Sequence, residues 1–137
     1  MSRDETLAFF DAYREAFDRL DGDAVADLWH VPSGITDPRG VTWWADDAPM
    51  RDNHRRLCAI YRDAGYARAR YELLHHEPLG ADDAWAHLRW TIERADGSLL
   101  QRFATGYQLR RTPAGPRVLF VTAHAENLQE MKTHAAP

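Results

Sequence analysis

The apolar residues of this chain change their spacing once, near Gly65, and no other feature constrains the fold as strongly. Before Gly65 they recur every three or four positions, as at Phe9, Tyr13 and Phe17, which is typical of amphipathic helices. After Gly65 apolar and polar residues alternate, which is typical of strands with one buried face. Helices followed by a run of strands predict an α+β protein, with helices covering one face of a curved antiparallel sheet.

Three helices are predicted in the first half of the chain. The first spans about residues 4–20, and the Asp-Gly-Asp sequence after it can break that helix and cap a second. The second helix is shorter, carries Leu28 and Trp29, and ends at Pro32. A third is expected over about residues 46–65, because an aspartate-rich opening and a terminal glycine are common helix boundaries.

Six strands complete the predicted architecture. The Asp-Pro-Arg-Gly sequence at 37–40 predicts a turn between two short strands, since proline presets φ and glycine accepts a left-handed conformation. The predicted order is α-α-ββ-α-ββββ in one domain over residues 1–137, with an ordered core at about 4–128. The four longer strands are expected at 67–79, 84–95, 98–111 and 117–126.

Composition excludes several classes of function. The 17 basic and 21 acidic residues give a net charge of −4, which provides no positive field for binding nucleic acid. No apolar run approaches the ~20 residues of a membrane span, so a cytoplasmic protein with no membrane contact is expected. The single cysteine, Cys58, excludes a multi-thiolate site, and no glycine-rich phosphate loop is present. We therefore expect neither a metal nor a cofactor.

The turn sequences predict which side chains share the inner face of the sheet. Asp96-Gly97 matches a two-residue type I′ hairpin, which sets Trp90 opposite Phe103 and Leu88 opposite Thr105. Tyr107 then lies on the same face, opposite Ala86. At the next turn, pairing Thr112 with Arg117 brings three more side chains to this face: Phe120, Thr122 and His124.

An inner face with polar residues at its centre favours a ligand pocket, because each buried polar group in a packed core needs a partner. The alternative is a packed core in which Tyr107 and Thr122 form a cross-strand pair. The residues predicted to line the pocket are Trp29, Leu88, Trp90, Phe103, Thr105, Phe120 and Thr122.

The opposite, outer face is too apolar for open water and predicts a homodimer formed by this face. Its predicted members are Leu74, Trp85, His87, Arg89, Ala104, Gly106, Leu119, Val121, Ala123 and Ala125.

The chain resembles the nuclear transport factor 2-like superfamily, in its SnoaL-like and ketosteroid-isomerase-like branch. The resemblance is carried by the order of the elements and by two segments, FFDAYREAFDRLDGDAVADLW and YQLRRTPAGPRVLFVTAHAE. It implies a cone-shaped fold whose cavity binds small apolar molecules, commonly in dimers. The implied activities range from isomerases, cyclases and dehydratases to binding without catalysis.

Comparison with ketosteroid isomerase implies roles for single residues. Tyr13 is similar to a tyrosine that donates to the developing oxyanion, and Asp37 to the aspartate that acts as general base. A protonated aspartic acid completes that pattern, but Tyr107 stands at the matching position and departs from it. His124 is an alternative acid or base, since the histidine pKa lies near neutrality.

The resulting hypothesis is a protein that binds a small apolar molecule and acts as a cofactor-independent isomerase, cyclase or dehydratase on a carbonyl compound. The alternative is a binding or dimerisation module without catalysis.

Overall fold

The computed structural model describes residues 1–124, which form three helices and six strands. The predicted positions beyond His124, including Ala125 and the last part of the 4–128 core, lie outside the described residues. Within residues 1–124, no helix combines the length and apolar character that crossing a membrane requires. In chain order the elements are α1 (Arg3–Asp18), α2 (Gly22–Ala26), β1 (Trp29–Asp37), β2 (Gly40–Trp44), α3 (Asp47–Ala64), β3 (Arg68–Leu79), β4 (Asp83–Glu93), β5 (Leu99–Thr112) and β6 (Gly115–His124).

Local contacts fix the start of α1 and the end of α3. The hydroxyl of Ser2 accepts from the Glu5 N–H at 3.1 Å, and the Glu5 carboxylate accepts from the Ser2 N–H, which forms a capping box at the start of α1. At the end of α3, Gly65 adopts φ 93°, a left-handed conformation that glycine takes without steric cost.

The second helix is shorter than predicted. It ends at Ala26, and Trp29 already belongs to β1, where it pairs with Val118 of β6. Pro32 therefore lies inside a strand instead of ending a helix. The difference has a tertiary cause, because pairing with β6 holds Trp29 in an extended conformation whatever its local helical spacing suggests.

The sheet is mixed, so the antiparallel prediction is wrong at one pair of strands. The strand order is β2-β1-β6-β5-β4-β3, and β1 runs parallel to β6 while the other neighbours are antiparallel. Neighbours joined by a hairpin must be antiparallel, whereas β1 and β6 are separated by α3 and four strands. Their relative direction thus follows from the path of the whole chain.

The pairing of β4 with β5 confirms the predicted register at the centre of the sheet. Trp90 lies opposite Phe103, and Leu88 lies opposite Thr105. Leu88 and Thr105 are 0% and 3% exposed, so this face is buried under the helices.

The turn between these strands differs from the predicted type I′ hairpin. Gly97 has φ 86°, but Asp96 is not at positive φ, and a type I′ turn requires positive φ at both central residues. The Gly97 N–H instead donates to the Arg94 carbonyl at 2.9 Å. A register shift between Ile92 and Glu93 then restores the pairing that the shorter turn would have produced.

The predicted register of β5 and β6 is wrong by two residues next to the turn and by one residue from Phe120 onward. Thr112 pairs with Gly115 instead of Arg117, and a bulge at Leu119 lies between the Leu109–Val118 and Gln108–Phe120 pairs. Tyr107 consequently lies opposite Val121. A one-residue slip exchanges the two faces of a strand.

This slip moves five predicted side chains to the opposite face. Val121 and Ala123, predicted on the outer face, are each 3% exposed and face inward. Phe120, Thr122 and His124, predicted on the inner face, lie on the outer face.

Candidate functional site

A small hollow of about 80 Å³ lies between the inner face of the sheet and helices α1 and α3. Its wall is mainly aromatic and aliphatic, which is typical of ligand sites. The residues that line it are Tyr13, Phe17, Trp29, Ile35, Asn53, His54, Leu57, Tyr61, Tyr66, Ala69, Trp90, Ile92, Phe103, Thr105, Tyr107, Val121 and Ala123.

Four of the seven residues predicted to bind a ligand line this hollow: Trp29, Trp90, Phe103 and Thr105. Leu88 lies on the same face but is completely buried in the core next to the hollow. Phe120 and Thr122 lie on the outer face because of the changed register of β6. The structure therefore brings Trp29 of β1 together with predicted residues of β4 and β5, and it leaves out the two predicted residues of β6.

Tyr13 and Tyr107 both line the hollow. The Tyr13 hydroxyl accepts from Trp29 Nε1 at 3.2 Å, and the Tyr107 hydroxyl accepts from Trp90 Nε1 at 2.9 Å. Each tyrosine is thus held in place by an indole from a different part of the chain.

Asp37 lies outside this group, at the end of β1 in the hairpin turn. Its carboxylate accepts from the Arg39 N–H at 2.8 Å and from Arg39 Nη2 at 3.2 Å. A carboxylate that accepts from a backbone N–H two residues later stabilises its own turn. Asp37 is absent from the wall of the hollow.

His124 also lies outside this group, at the last described position of β6. It is exposed on the outer face, with its Nε2 2.9 Å from the Nε2 of His87. The sheet separates it from Tyr13 and Tyr107. Among residues 1–124, no three histidine, cysteine, aspartate or glutamate side chains are grouped so as to hold a metal.

His54, which the sequence patterns did not single out, is a histidine that lines the hollow. Its side chain comes from α3, is 2% exposed, and lies 4.5 Å from the Trp29 ring between centroids. Neither His54 ring nitrogen has a hydrogen-bond partner among residues 1–124. The missed signal is its spacing, since His54 lies four residues after Met50 and four before Cys58 on the buried stripe of α3.

Burial determines the charge of His54. Removal from water, assisted by the positive charge of Arg51, lowers the pKa of His54 from 6.5 to about 3. The imidazole is therefore neutral at pH 7 and presents one N–H donor and one nitrogen acceptor. Such a ring can hydrogen-bond a ligand and is a weak base.

Thr105 contributes a second unpartnered group from the opposite wall. Its hydroxyl is buried, and among residues 1–124 it has no hydrogen-bond partner. Orphaned polar groups in a folded interior are uncommon, because each costs about 1–3 kcal/mol. A ligand with a hydrogen-bonding group would satisfy His54 and Thr105 within a wall that is otherwise apolar.

Solved structures with the same fold come from several bacteria. An NTF2-like protein of unknown function from Shewanella oneidensis MR-1 superimposes with a TM-score of 0.73 at 12% identity, covering 90% of this chain and 99% of that one. A protein from Streptomyces avermitilis, labelled a dehydratase of the NTF2-like family, gives 0.68 at 16% identity, with coverage of 90% and 95%. A ketosteroid isomerase-like protein from Erwinia carotovora atroseptica SCRI1043 gives 0.61 at 20% identity, with coverage of 88% and 92%.

Identities this low show a shared fold and leave activity undetermined. A search among curated proteins finds no match. The model of the family described as NTF2-like protein (DUF6841) matches residues 4–126. Because that match spans almost the whole chain, this protein belongs to the NTF2-like family DUF6841.

Proposed function

We propose that the protein binds a small, mainly apolar molecule bearing a carbonyl or hydroxyl group, in a cone-shaped cavity that includes the hollow. The observation that carries this proposal is the pair of unpartnered polar side chains, His54 and Thr105, in an aromatic wall. A ligand oxygen could accept from the His54 N–H or the Thr105 hydroxyl, and the indoles and tyrosine rings would cover its apolar part.

The size of the hollow limits this ligand. At about 80 Å³ it is smaller than the ~150 Å³ cavity that is known to admit benzene. A six-membered ring therefore requires small movements of the surrounding side chains. Those side chains are attached to α1, α3 and the sheet, so the cavity can widen by movement of a helix relative to the sheet.

Catalysis by proton transfer is the more specific form of the proposal. His54 would take a proton from the carbon beside a carbonyl, and Tyr13 or Tyr107 would donate to the developing enolate oxygen. The neighbours labelled dehydratase and ketosteroid isomerase-like support this class of chemistry. The low pKa of His54 opposes it, because a weak base removes such a proton slowly. The alternative is binding without catalysis.

The binding test uses 2-cyclohexenone and phenol, with the melting temperature as the readout. We expect either compound to raise the melting temperature of the wild-type protein, because a ligand of the folded state alone stabilises it. Ala123→Leu, which fills the hollow, should lose the response, and Tyr107→Phe should respond less. Ala104→Leu places the same side chain on the outer face and should respond like the wild type. No response to any compound would favour a module whose interior is filled by its own side chains.

A second measurement separates chemistry from binding. In heavy water, abstraction of a proton beside the carbonyl exchanges it for deuterium, which NMR of 2-cyclohexenone detects directly. Catalysed exchange that is lost in His54→Phe would support the enzyme. Binding without exchange would establish the non-catalytic alternative.

We also propose that the outer face joins two copies into a homodimer. Trp43 and Phe120 cover Gly34 on this face, and the indole of Trp85 covers Gly106. The face spans six strands at roughly 4.8 Å each, and about ten residues along a strand cover roughly 33 Å. That area is close to the ~800 Å² per partner of standard protein interfaces.

Sedimentation equilibrium of Thr122→Arg tests the dimer. Thr122 lies near the middle of the outer face, so an arginine there should yield monomers. Thr42→Arg, on the exposed edge strand with its side chain on the opposite side, should remain dimeric. A Thr122→Arg dimer as tight as the wild type would exclude this interface. Gly106 is less suitable for the test, because any side chain there would overlap Trp85.

A further inference from the structure

Two histidines on the outer face meet across the strand that separates them. His87 belongs to β4 and His124 to β6, and the small residues Ala104 and Gly106 of β5 lie between them. The two Nε2 atoms are 2.9 Å apart and the ring centroids 5.1 Å apart. A centroid separation this much larger than the nitrogen separation means that the rings meet nearly end to end. This is the geometry of an N–H···N hydrogen bond between two imidazoles.

Such a bond depends on the number of protons that the pair carries. One proton between the two facing nitrogens makes a hydrogen bond, and the bond is stronger when one ring is charged. When both rings are protonated, two N–H groups face each other and two positive charges repel. The pair therefore changes from attractive to repulsive as it gains its last proton.

The surroundings of the pair oppose that last proton. Partial burial, His124, Arg89 and His75 all lower the pKa of His87. Two glutamates of β3 are already engaged, Glu72 with Arg89 at 3.1 Å and Glu77 with His75 at 3.5 Å. From β5 the pair is faced by Ala104 and Gly106, and from β6 by Thr122, none of which titrates. Arg102, the next outer-face residue of β5, adds positive charge.

We propose that the His87–His124 pair makes the association of two copies through the outer face dependent on pH, with dimers at neutral pH that separate in mild acid. This inference rests on the dimer proposed above and adds its regulation. The location supports it, because the pair lies on inner strands of the six-stranded sheet, where a second copy would cover it completely.

The direction follows from proton linkage. Covering the pair with a second copy removes His87 from water and lowers the pKa of His87 further, so the separated chains bind protons more readily than the dimer. Association is therefore fully favourable above the pKa that His87 has in the separated chains, which already lies below the ordinary histidine value of about 6.5, and it weakens as pH falls through that pKa.

Sedimentation equilibrium of the full chain at about pH 7.5 and about pH 5.5 tests the proposal, with an expected rise in the dimer dissociation constant of at least about tenfold in acid. In the double variant His87→Gln/His124→Gln we expect the dissociation constant to change less than about threefold, since glutamine does not titrate. His75→Gln, an exposed neighbour on the same face, should keep the acid response. Circular dichroism at both pH values checks that each protein remains folded.

The outcomes are distinct. A wild-type dimer that is equally tight at both pH values, or an acid response that persists in the double variant, overturns the pH dependence alone. Monomers at both pH values at every concentration overturn the dimer as well. If the double variant does not fold, histidine NMR of the wild type decides: the pKa of the pair must fall as protein concentration rises, and a pKa independent of concentration overturns the proposal.

Discussion

Histidines on the two sides of the same sheet differ in burial and in their hydrogen-bond partners. On the inner side, His54 of α3 is 2% exposed, neutral, and without a hydrogen-bond partner among residues 1–124. On the outer side, His87 and His124 are accessible to water and contact each other. The inner histidine can be satisfied by a ligand that enters the hollow. The outer pair responds to protons and to whatever covers the face.

This contrast shows how much of the site depends on one strand. Along β6, Val121 and Ala123 face the hollow while Phe120, Thr122 and His124 face outward. A shift of one residue would exchange these sets and place a histidine beside the tyrosines. The bulge at Leu119 therefore decides which chemical groups the hollow contains.

The largest expected effect comes from placing a charge on each face of β6. Val121→Asp should lower the free energy of unfolding by more than about 3 kcal/mol, because the carboxylate would be buried without a partner. Thr122→Asp should cost less than about 1 kcal/mol, since this position reaches water. Urea denaturation at low protein concentration measures both. The reverse order would show that the register is the one predicted from the sequence.

The next effect is the pH dependence that His54 imposes on stability. The pKa of His54 is lowered to about 3 in the folded chain. The contribution of His54 to the free energy of unfolding is therefore complete above its pKa in the unfolded chain and is lost as pH falls toward 3. Between about pH 6.5 and about pH 4.5 the wild type should lose roughly 2–3 kcal/mol more than His54→Phe. His75→Phe, at an exposed position, should leave the pH dependence of the free energy of unfolding unchanged. If the free energy of unfolding changed with pH equally in the wild type and in His54→Phe, the result would contradict a buried neutral imidazole.

A smaller effect is expected from tryptophans on the two faces. Trp90→Phe removes the donor to the Tyr107 hydroxyl and part of a buried ring, which should cost about 1–2 kcal/mol. Trp43→Phe should change stability by less than about 0.5 kcal/mol, because Trp43 is 56% exposed. Thermal unfolding of the two variants provides the comparison. Equal losses would mean that the outer face is as tightly packed as the inner one.

The smallest effect concerns the ion pair beside the outer histidines. Arg89 and Glu72 are 50% and 65% exposed in the single chain, so at a protein concentration low enough to separate the copies Arg89→Gln should alter the free energy of unfolding by less than about 0.5 kcal/mol. Chemical denaturation in low and high salt measures this. A loss above about 1 kcal/mol would mean that this face is covered in solution, since screening by water keeps exposed pairs weak.

Predictability from sequence depended on a short connection and on a clear turn signal within it. Asp96-Gly97 predicted the correct pairing of β4 with β5, although the turn has a different form, because the two strands adjoin in the chain. The turn over 113–114 is tighter than expected, and a bulge follows it. No residue pattern in the sequence predicts either feature. The parallel pairing of β1 with β6 joins strands that lie far apart in sequence.

The amino-acid sequence by itself determined the helices, the run of strands and the apolar faces, because hydrophobic periodicity and turn residues act over a few positions. Only the tertiary structure decided which side chains meet. His54 lines the hollow because α3 packs over the inner face of the sheet. His124 lies on the outer face, and not on the predicted inner face, because of one bulge in β6. Contacts between distant segments depend on the packing of the whole chain, and local spacing does not encode that packing.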